Sequence, residues 1–191
     1  MAAMSERDLP VSLIRAYGFR RGAELGVWRG ARAWKILEET GLDELVLVDP
    51  WREELNRFDV PMGWVLPARM GATTYHCTMG EPHQDQAALE EMAKAVEGRA
   101  ARYGGRARVL RMVSFEASAV ILDGSLDFVI WDAIHLHGTC RDDLMAWKAK
   151  LRSGGLLCGD GYGDAGVRAA VDTELGPEKW VQGDFWGTII R

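Results

Sequence analysis

Four residues in the first third of the chain combine charge, small size and spacing in a way that can hold a nucleoside-type ligand. The run "GAELGVWRGARAWKILEE" covers residues 22–39. A short apolar stretch closes on Glu24-Leu25-Gly26, a turn passes through Val27-Trp28-Arg29-Gly30, and helical spacing then begins. Strand, glycine turn and helix is the arrangement that sets a helix N-terminus against a bound cofactor. The usual dinucleotide fingerprint has three glycines, G-x-G-x-x-G. Here the pattern is E-x-G-x-x-x-G, carried by Glu24, Gly26 and Gly30. A carboxylate at Glu24 would repel a pyrophosphate and would favour a cationic or hydrogen-bond-donating ligand.

S-adenosylmethionine meets that requirement, because it carries no phosphate, an ammonium group and a positive sulfonium. Gly26 is expected to let the backbone approach the ligand, and Gly30 to let the helix pack on the strand. Asp49 follows Gly30 by 19 residues and ends the run "LVLVD". An acid there can accept both ribose hydroxyls, which supports an adenosine moiety in general.

The elements that must position these residues follow from the hydrophobic pattern. Residues 9–18 read as a short amphipathic helix, Ala23–Val27 as a strand, Arg29–Thr40 as a helix and Leu45–Asp49 as a buried parallel strand. Residues 52–82 carry Pro61, Pro67 and Pro82 with several glycines and read as a long loop. A loop of that length in a compact domain is usually functional, here a lid or substrate wall with Trp64, Tyr75, His76, Met79 and His83, or a dimer contact. Residues 84–103 form a helix with Leu89, Met92, Val96, Ala100 and Tyr103 on one face. A strand over 108–113, a short helix over 115–122 and the strand "LDFVIW" over 126–131 follow. A helix over 139–151 carries the stripe Cys140, Leu144, Trp147 and Leu151, capped by Thr139 with Asp142. "LLCGD" is a fifth strand, Asp164 caps a helix over 167–175 ended by Gly176, and "KWVQGD" with "FWGTIIR" closes the chain as a hairpin about Gly183-Asp184. The alternation predicts one α/β domain over residues 1–191, a three-layer Rossmann-like sandwich. Its seven-stranded, mostly parallel sheet ends in an antiparallel last strand.

Composition narrows the function. The 191 residues are 48% hydrophobic and 27% charged, with a net charge of −5. That balance offers no footprint for nucleic acid or for an anionic membrane. Apolar runs are too short to span a bilayer, and residues 1–10 lack the apolar segment of a leader. Three cysteines, Cys77, Cys140 and Cys158, without a CxxC pair fit a cytoplasmic chain.

The runs "AELGVWRGARAW", "LVLVDPW", "LDFVIWDAIH", "DDLMAWKAKLRSGGLLCGDGYG" and "GVRAAVD" appear in an order and spacing that resembles the class I S-adenosylmethionine-dependent methyltransferases. Within them the chain resembles the small bacterial methyltransferase family 24, related to the macrocin-type sugar O-methyltransferases, over about residues 20–175. The resemblance implies that Glu24, Gly26 and Val27 line the methionine end of the cofactor, with Trp28 and Gly30 in the same turn. It implies that Asp49 holds the ribose, Trp51 flanks the adenosine, and Ser114 and Phe115 sit by the adenine. Asp132 would face the sulfonium and the substrate. Read without the resemblance, Phe115 equally fits core packing and Ser114 a helix N-cap.

Magnesium-dependent relatives use about three carboxylate or amide oxygens at these strand ends, as a hard cation requires. Where the family commonly shows acids, this chain has Ile134 and Gly161, and its sole Asn is Asn56. Asp132 and Asp160 are the only ligands left for magnesium, so the expectation is no metal site, or at most a weak one on these two acids. Without a metal, a hydroxyl nucleophile calls for a general base, and His135 is the first candidate, with Asp132 second. His135 equally fits a residue that satisfies the turn before the next helix. The expected activity is methyl transfer to a small molecule, on oxygen, by a chain that can form a homodimer. Two rivals stand beside it. One is an inactive methyltransferase-like scaffold. The other is an NAD(P)-dependent oxidoreductase, which the missing third glycine and Glu24 disfavour.

Overall fold

The structure, a computed structural model, describes residues 8–53, 58–59, 74–75, 85–133, 135 and 137–191. The chain runs α1 (Leu9–Tyr17), β1 (Arg21–Leu25), α2 (Ala31–Glu39), β2 (Glu44–Val48), β3 (Phe58–Asp59) and β4 (Thr74–Tyr75). It continues through α3 (Gln86–Ala100), β5 (Ala107–Leu110), α4 (Ser114–Ser118), β6 (Leu126–Trp131) and α5 (His137–Lys148). It closes with β7 (Leu151–Gly159), α6 (Ala165–Leu175), β8 (Trp180–Gln182) and β9 (Phe185–Ile189). Seven strands form one sheet in the order β5-β2-β1-β6-β7-β9-β8. The first five are parallel, and β9 pairs antiparallel with both β7 and β8. This is the predicted Rossmann-like three-layer sandwich. β3 and β4 pair with each other outside that sheet.

Alternation along β2 explains the layers. Leu45 and Leu47 pack to one face with Ile36 and Leu37 of α2, Leu89 and Val96 of α3, and Ile14 of α1. Val46 and Val48 pack to the other face with Ala117 of α4, Leu144 and Trp147 of α5, and Val167 and Val171 of α6. A strand buried on both faces must be apolar throughout, and "LVLV" is. Among the described residues no helix is long and apolar enough to cross a membrane.

Several boundaries differ from the sequence reading for tertiary reasons. β1 ends at Leu25, because Gly26 turns at φ +83°. α5 begins at His137, so Thr139 lies inside the helix and does not cap it. The stripe of Cys140, Leu144 and Trp147 is buried as expected, but Leu151 leaves the helix to pair with Leu126 in β7. The Asp164 cap stands, with the carboxylate accepting from Gly166 N at 2.8 Å. β8 and β9 form the expected hairpin about Gly183-Asp184. The loop residues Trp64, His76, Met79 and His83 lie outside the described residues, and of Tyr75 only the backbone is described.

Trp147 links the second helical layer to the sheet's ligand end. It is fully buried, and its indole N–H donates to the carbonyl of Ser114 at 3.0 Å. Replacing it with alanine removes a large buried ring and leaves that carbonyl without its donor. Trp147→Ala is expected to lower unfolding stability by about 3–5 kcal/mol, read from urea denaturation.

Candidate functional site

The sheet register brings the chemically capable residues into one row. Leu25 pairs with Val48 and with Trp131, and Trp131 pairs with Gly159. The next residue on each strand is therefore Gly26, Asp49, Asp132 and Asp160. This row lies beyond the carboxyl ends of β1, β2, β6 and β7, where strand order reverses and open α/β sheets bind ligands. Gly26 makes the close spacing possible. A Cβ on it would fall 1.8 Å from the carbonyl oxygen of Asp132, and its φ of +83° disfavours any side chain. The close approach that Gly26 permits is thus strand end to strand end. Gly30 likewise serves a different neighbour from the one expected: a Cβ there would strike the Trp34 indole of its own helix at 2.5 Å, not the strand.

One guanidinium sits among the carboxylates. Arg32, near the start of α2, places Nη2 2.9 Å from Asp132 Oδ2 and 2.8 Å from Asp160 Oδ2. Its Nη1 lies 3.9 Å from Glu24 Oε1, beyond hydrogen-bond reach. Glu24 is 2% exposed. Among the described residues, Glu24 Oε2, Arg32 Nη1 and Asp160 Oδ1 are buried without a hydrogen-bond partner. Unpaired buried polar atoms are uncommon and call for an explanation. Three in one site describe a place where a ligand with both donors and acceptors fits. Burial pushes the Glu24 carboxyl up to about 7, although Arg32 opposes the shift. Burial and the adjacent Asp160 raise Asp132 well above the usual carboxylate range.

Asp49 is the second organising acid. Its Oδ2 accepts from Trp28 N at 2.8 Å and its Oδ1 from Trp51 N at 2.9 Å. The Trp51 indole N–H returns to the Trp28 carbonyl at 3.0 Å. Both tryptophans adopt positive φ, +52° for Trp28 and +45° for Trp51, which costs energy for bulky residues and persists only when surroundings hold it. The Asp49 carboxylate supplies that hold. Burial raises its affinity for a proton, and the backbone amides of Trp28, Trp51 and Val27 oppose this. The carboxylate keeps acceptor capacity beyond these amides. Val27 is buried, and its carbonyl accepts from Gly30 N to close the turn. Trp51 is 1% exposed and packed in the core, so it shapes the loop through its backbone and does not present an open ring face.

His135 completes the far side. Its ring stacks on Trp131 at 5.6 Å and lies over Gly161, where a Cβ would meet it at 2.5 Å. Its Nε2 is 3.9 Å from Asp160 Oδ1. Asp132, His135 and Asp160 each offer a ligand atom within 4.8 Å of the others. Ser114 is the first residue of α4 and caps nothing. Its hydroxyl donates to the buried Asp143 carboxylate at 2.6–2.7 Å, which also accepts from Trp131 Nε1 at 3.0 Å. Burial pushes Asp143 up to about 6. Phe115 is not core: it is 56% exposed.

The sequence reading did not single out Arg32 or Asp143. Arg32 had one visible signal. A cation in the first turn of a helix opposes the helix dipole, so it needs anions nearby.

A family profile described as a methyltransferase domain matches residues 23–162. No curated protein matches the chain in sequence. The cofactor-bound structure of Rv0187 from MTB is similar at 16% identity and TM-score 0.63, covering 100% of this chain and 82% of that one. A Staphylococcus aureus protein provisionally assigned as a caffeoyl-CoA O-methyltransferase is similar at 14% identity and TM-score 0.57, covering 98% and 83%. A Burkholderia thailandensis 1,6-didemethyltoxoflavin-N1-methyltransferase, solved with its acceptor and S-adenosylhomocysteine, matches at 17% identity and TM-score 0.48. That match covers 81% of this chain, which spans 52% of the longer protein. At these identities the first two likenesses establish the fold.

The raised Glu24 carboxyl has a consequence for stability. Its folded value, about 7, exceeds its ordinary value of 4.5, so between them the native state holds a proton that the unfolded chain releases. Stability from this group is therefore present below about pH 4.5 and lost as pH rises through about 7. The Glu24→Gln variant removes this slope. Urea midpoints at about pH 5 and about pH 8 are expected to show the wild type losing on the order of 2 kcal/mol more than the variant.

Proposed function

The chain belongs to methyltransferase family 24, within the class I S-adenosylmethionine-dependent methyltransferases, and on that premise we propose that it methylates an oxygen nucleophile on a small molecule. The observation that carries the reading is the 2%-exposed Glu24 carboxyl beside the Asp49 row, with its Oε2 left without a partner among the described residues. The cofactor's ammonium group suits the free Glu24 oxygen. Its ribose hydroxyls suit the remaining lone pairs of Asp49, with Gly26, Val27, Trp28 and Gly30 forming the turn around it. Phe115, exposed after β5, offers a ring for the adenine. S-adenosylmethionine, when bound, supplies an electrophilic methyl carbon on a sulfonium.

The chain's own residues then have three tasks. The Asp49 brace fixes the turn that orients the donor. Asp132 and Asp160, held by Arg32, set an anionic floor opposite the acceptor. His135 takes the hydroxyl proton at an imidazole nitrogen, with Trp131 fixing the ring plane and Asp160 Oδ1 3.9 Å from Nε2. Alignment of the nucleophile with the methyl group supplies much of the remaining rate. The buried free thiols of Cys140 and Cys158 fit a reducing, cytoplasmic setting. A homodimer is part of the same proposal.

Calorimetric titration with S-adenosylhomocysteine tests the reading. Micromolar binding to the wild type, lost in Asp49→Ala, is the expected result. Saturable binding of NADH with none of S-adenosylhomocysteine would overturn it. His135→Ala is expected to lower turnover on a responsive acceptor by about 10²–10⁴ while leaving S-adenosylhomocysteine affinity unchanged. Unchanged turnover would remove His135 as the base.

A further inference from the structure

We propose that Arg32 is a built-in cation that takes the place of a divalent metal at the ends of β6 and β7. It holds Asp132 and Asp160 together and keeps a metal ion out. The inference shares its location with the proposed methyl-transfer site but is argued from ion pairs alone.

The donor set is what a divalent cation would use. Asp132, His135 and Asp160 converge within 4.8 Å, and the Glu24 carboxylate lies beneath them with one oxygen unpaired. Yet one oxygen of each acid, Asp132 Oδ2 and Asp160 Oδ2, already contacts the same nitrogen, Arg32 Nη2, at 2.9 and 2.8 Å. A magnesium-sized ion bridging those two oxygens would need them at about 2.0–2.1 Å. It would share the space of Nη2 and meet a like charge. The arginine cannot yield by losing its proton, because guanidinium stays charged in proteins. It has little freedom to swing away, since its side chain is 18% exposed and rises from the first turn of a packed helix. As the site stands, its residues do not fit a divalent ion.

The arrangement also explains why a cation is tolerated at a helix start. The unfavourable dipole term there is small, and two charge-assisted contacts outweigh it. Arg32 is thus a positioning residue, and the ligand set that sequence reading found too sparse for magnesium is sparse because a side chain completes it.

Manganese alone is the probe, followed by electron paramagnetic resonance and by thermal melting. Wild type is expected to show no saturable manganese binding at this site and no metal-dependent rise in Tm. Arg32→Ala and Arg32→Gln are each expected to bind one manganese per chain at least about ten-fold more tightly and to melt higher with metal than without. Adding Asp132→Asn to either should abolish the gain. Arg32→Gln carries the test if the alanine variant does not fold. Saturable wild-type binding within about three-fold of a variant's affinity would overturn the proposal, as would a folded variant that gains no binding. Should neither variant fold, the wild-type titration alone decides. S-adenosylhomocysteine titration of the same wild-type sample reports on the methyltransferase reading separately.

Discussion

The strand ends of this molecule depend on a single guanidinium. Without Arg32, the carboxyls of Glu24, Asp132 and Asp160 would face one another with little water to separate them. A buried charge of this kind is not a source of large net stability, because desolvation offsets the attraction. Its role is in the arrangement. It draws the ends of β6 and β7 toward α2 and leaves three polar atoms facing inward, unpaired. Removing one member of such a network costs about 3–5 kcal/mol in other proteins, mostly through the charges left behind. The network therefore couples α2, the switch point and the candidate base through side chains from four elements.

Asp49 does for the turn what Arg32 does for the strand ends. Two bulky residues with left-handed backbone would relax if left alone. The carboxylate accepts from both amides, and an indole N–H ties one loop to the other. Acceptor sites that remain on Asp49 belong to the same two oxygens. Loop geometry and ligand affinity are then two readings of one group, and neither can be altered by itself at this position.

Much of this was legible in the sequence, and the failures have physical causes. "LDFVIW" was placed to the residue because Phe128–Trp131 is an unbroken apolar run, as burial on both faces demands, and its one acid, Asp127, sits at the strand's start, where it accepts from the Arg20 and Arg21 amides. β1 was read two residues late because Val27 is apolar, although its burial comes from the turn closed by Gly30. α5 was read three residues long because Leu151 continues the helical phase, yet pairing with Leu126 draws it into the sheet. Among the candidate residues, Glu24, Asp49, Asp132, His135 and Asp160 do come together, since strand-end acids in a parallel sheet are sorted by register. Trp51 and Ser114 turned inward, because each found a buried hydrogen-bond partner that no local pattern could reveal. Arg32 was missed because its partners lie 100 and 128 residues away.

The fit between Gly26 and the carbonyl of Asp132 also bears on how such a chain can diverge. Position 26 is closed to every side chain, by space as well as by φ. The crevice cannot be narrowed or widened there by single steps of mutation. Change in the ligand end of this sheet must enter through its flanks, at positions such as 28 or 32, where a side chain's size and charge can be exchanged while the strand spacing stays fixed. The molecule keeps one inherited dimension constant and leaves its chemistry open to drift.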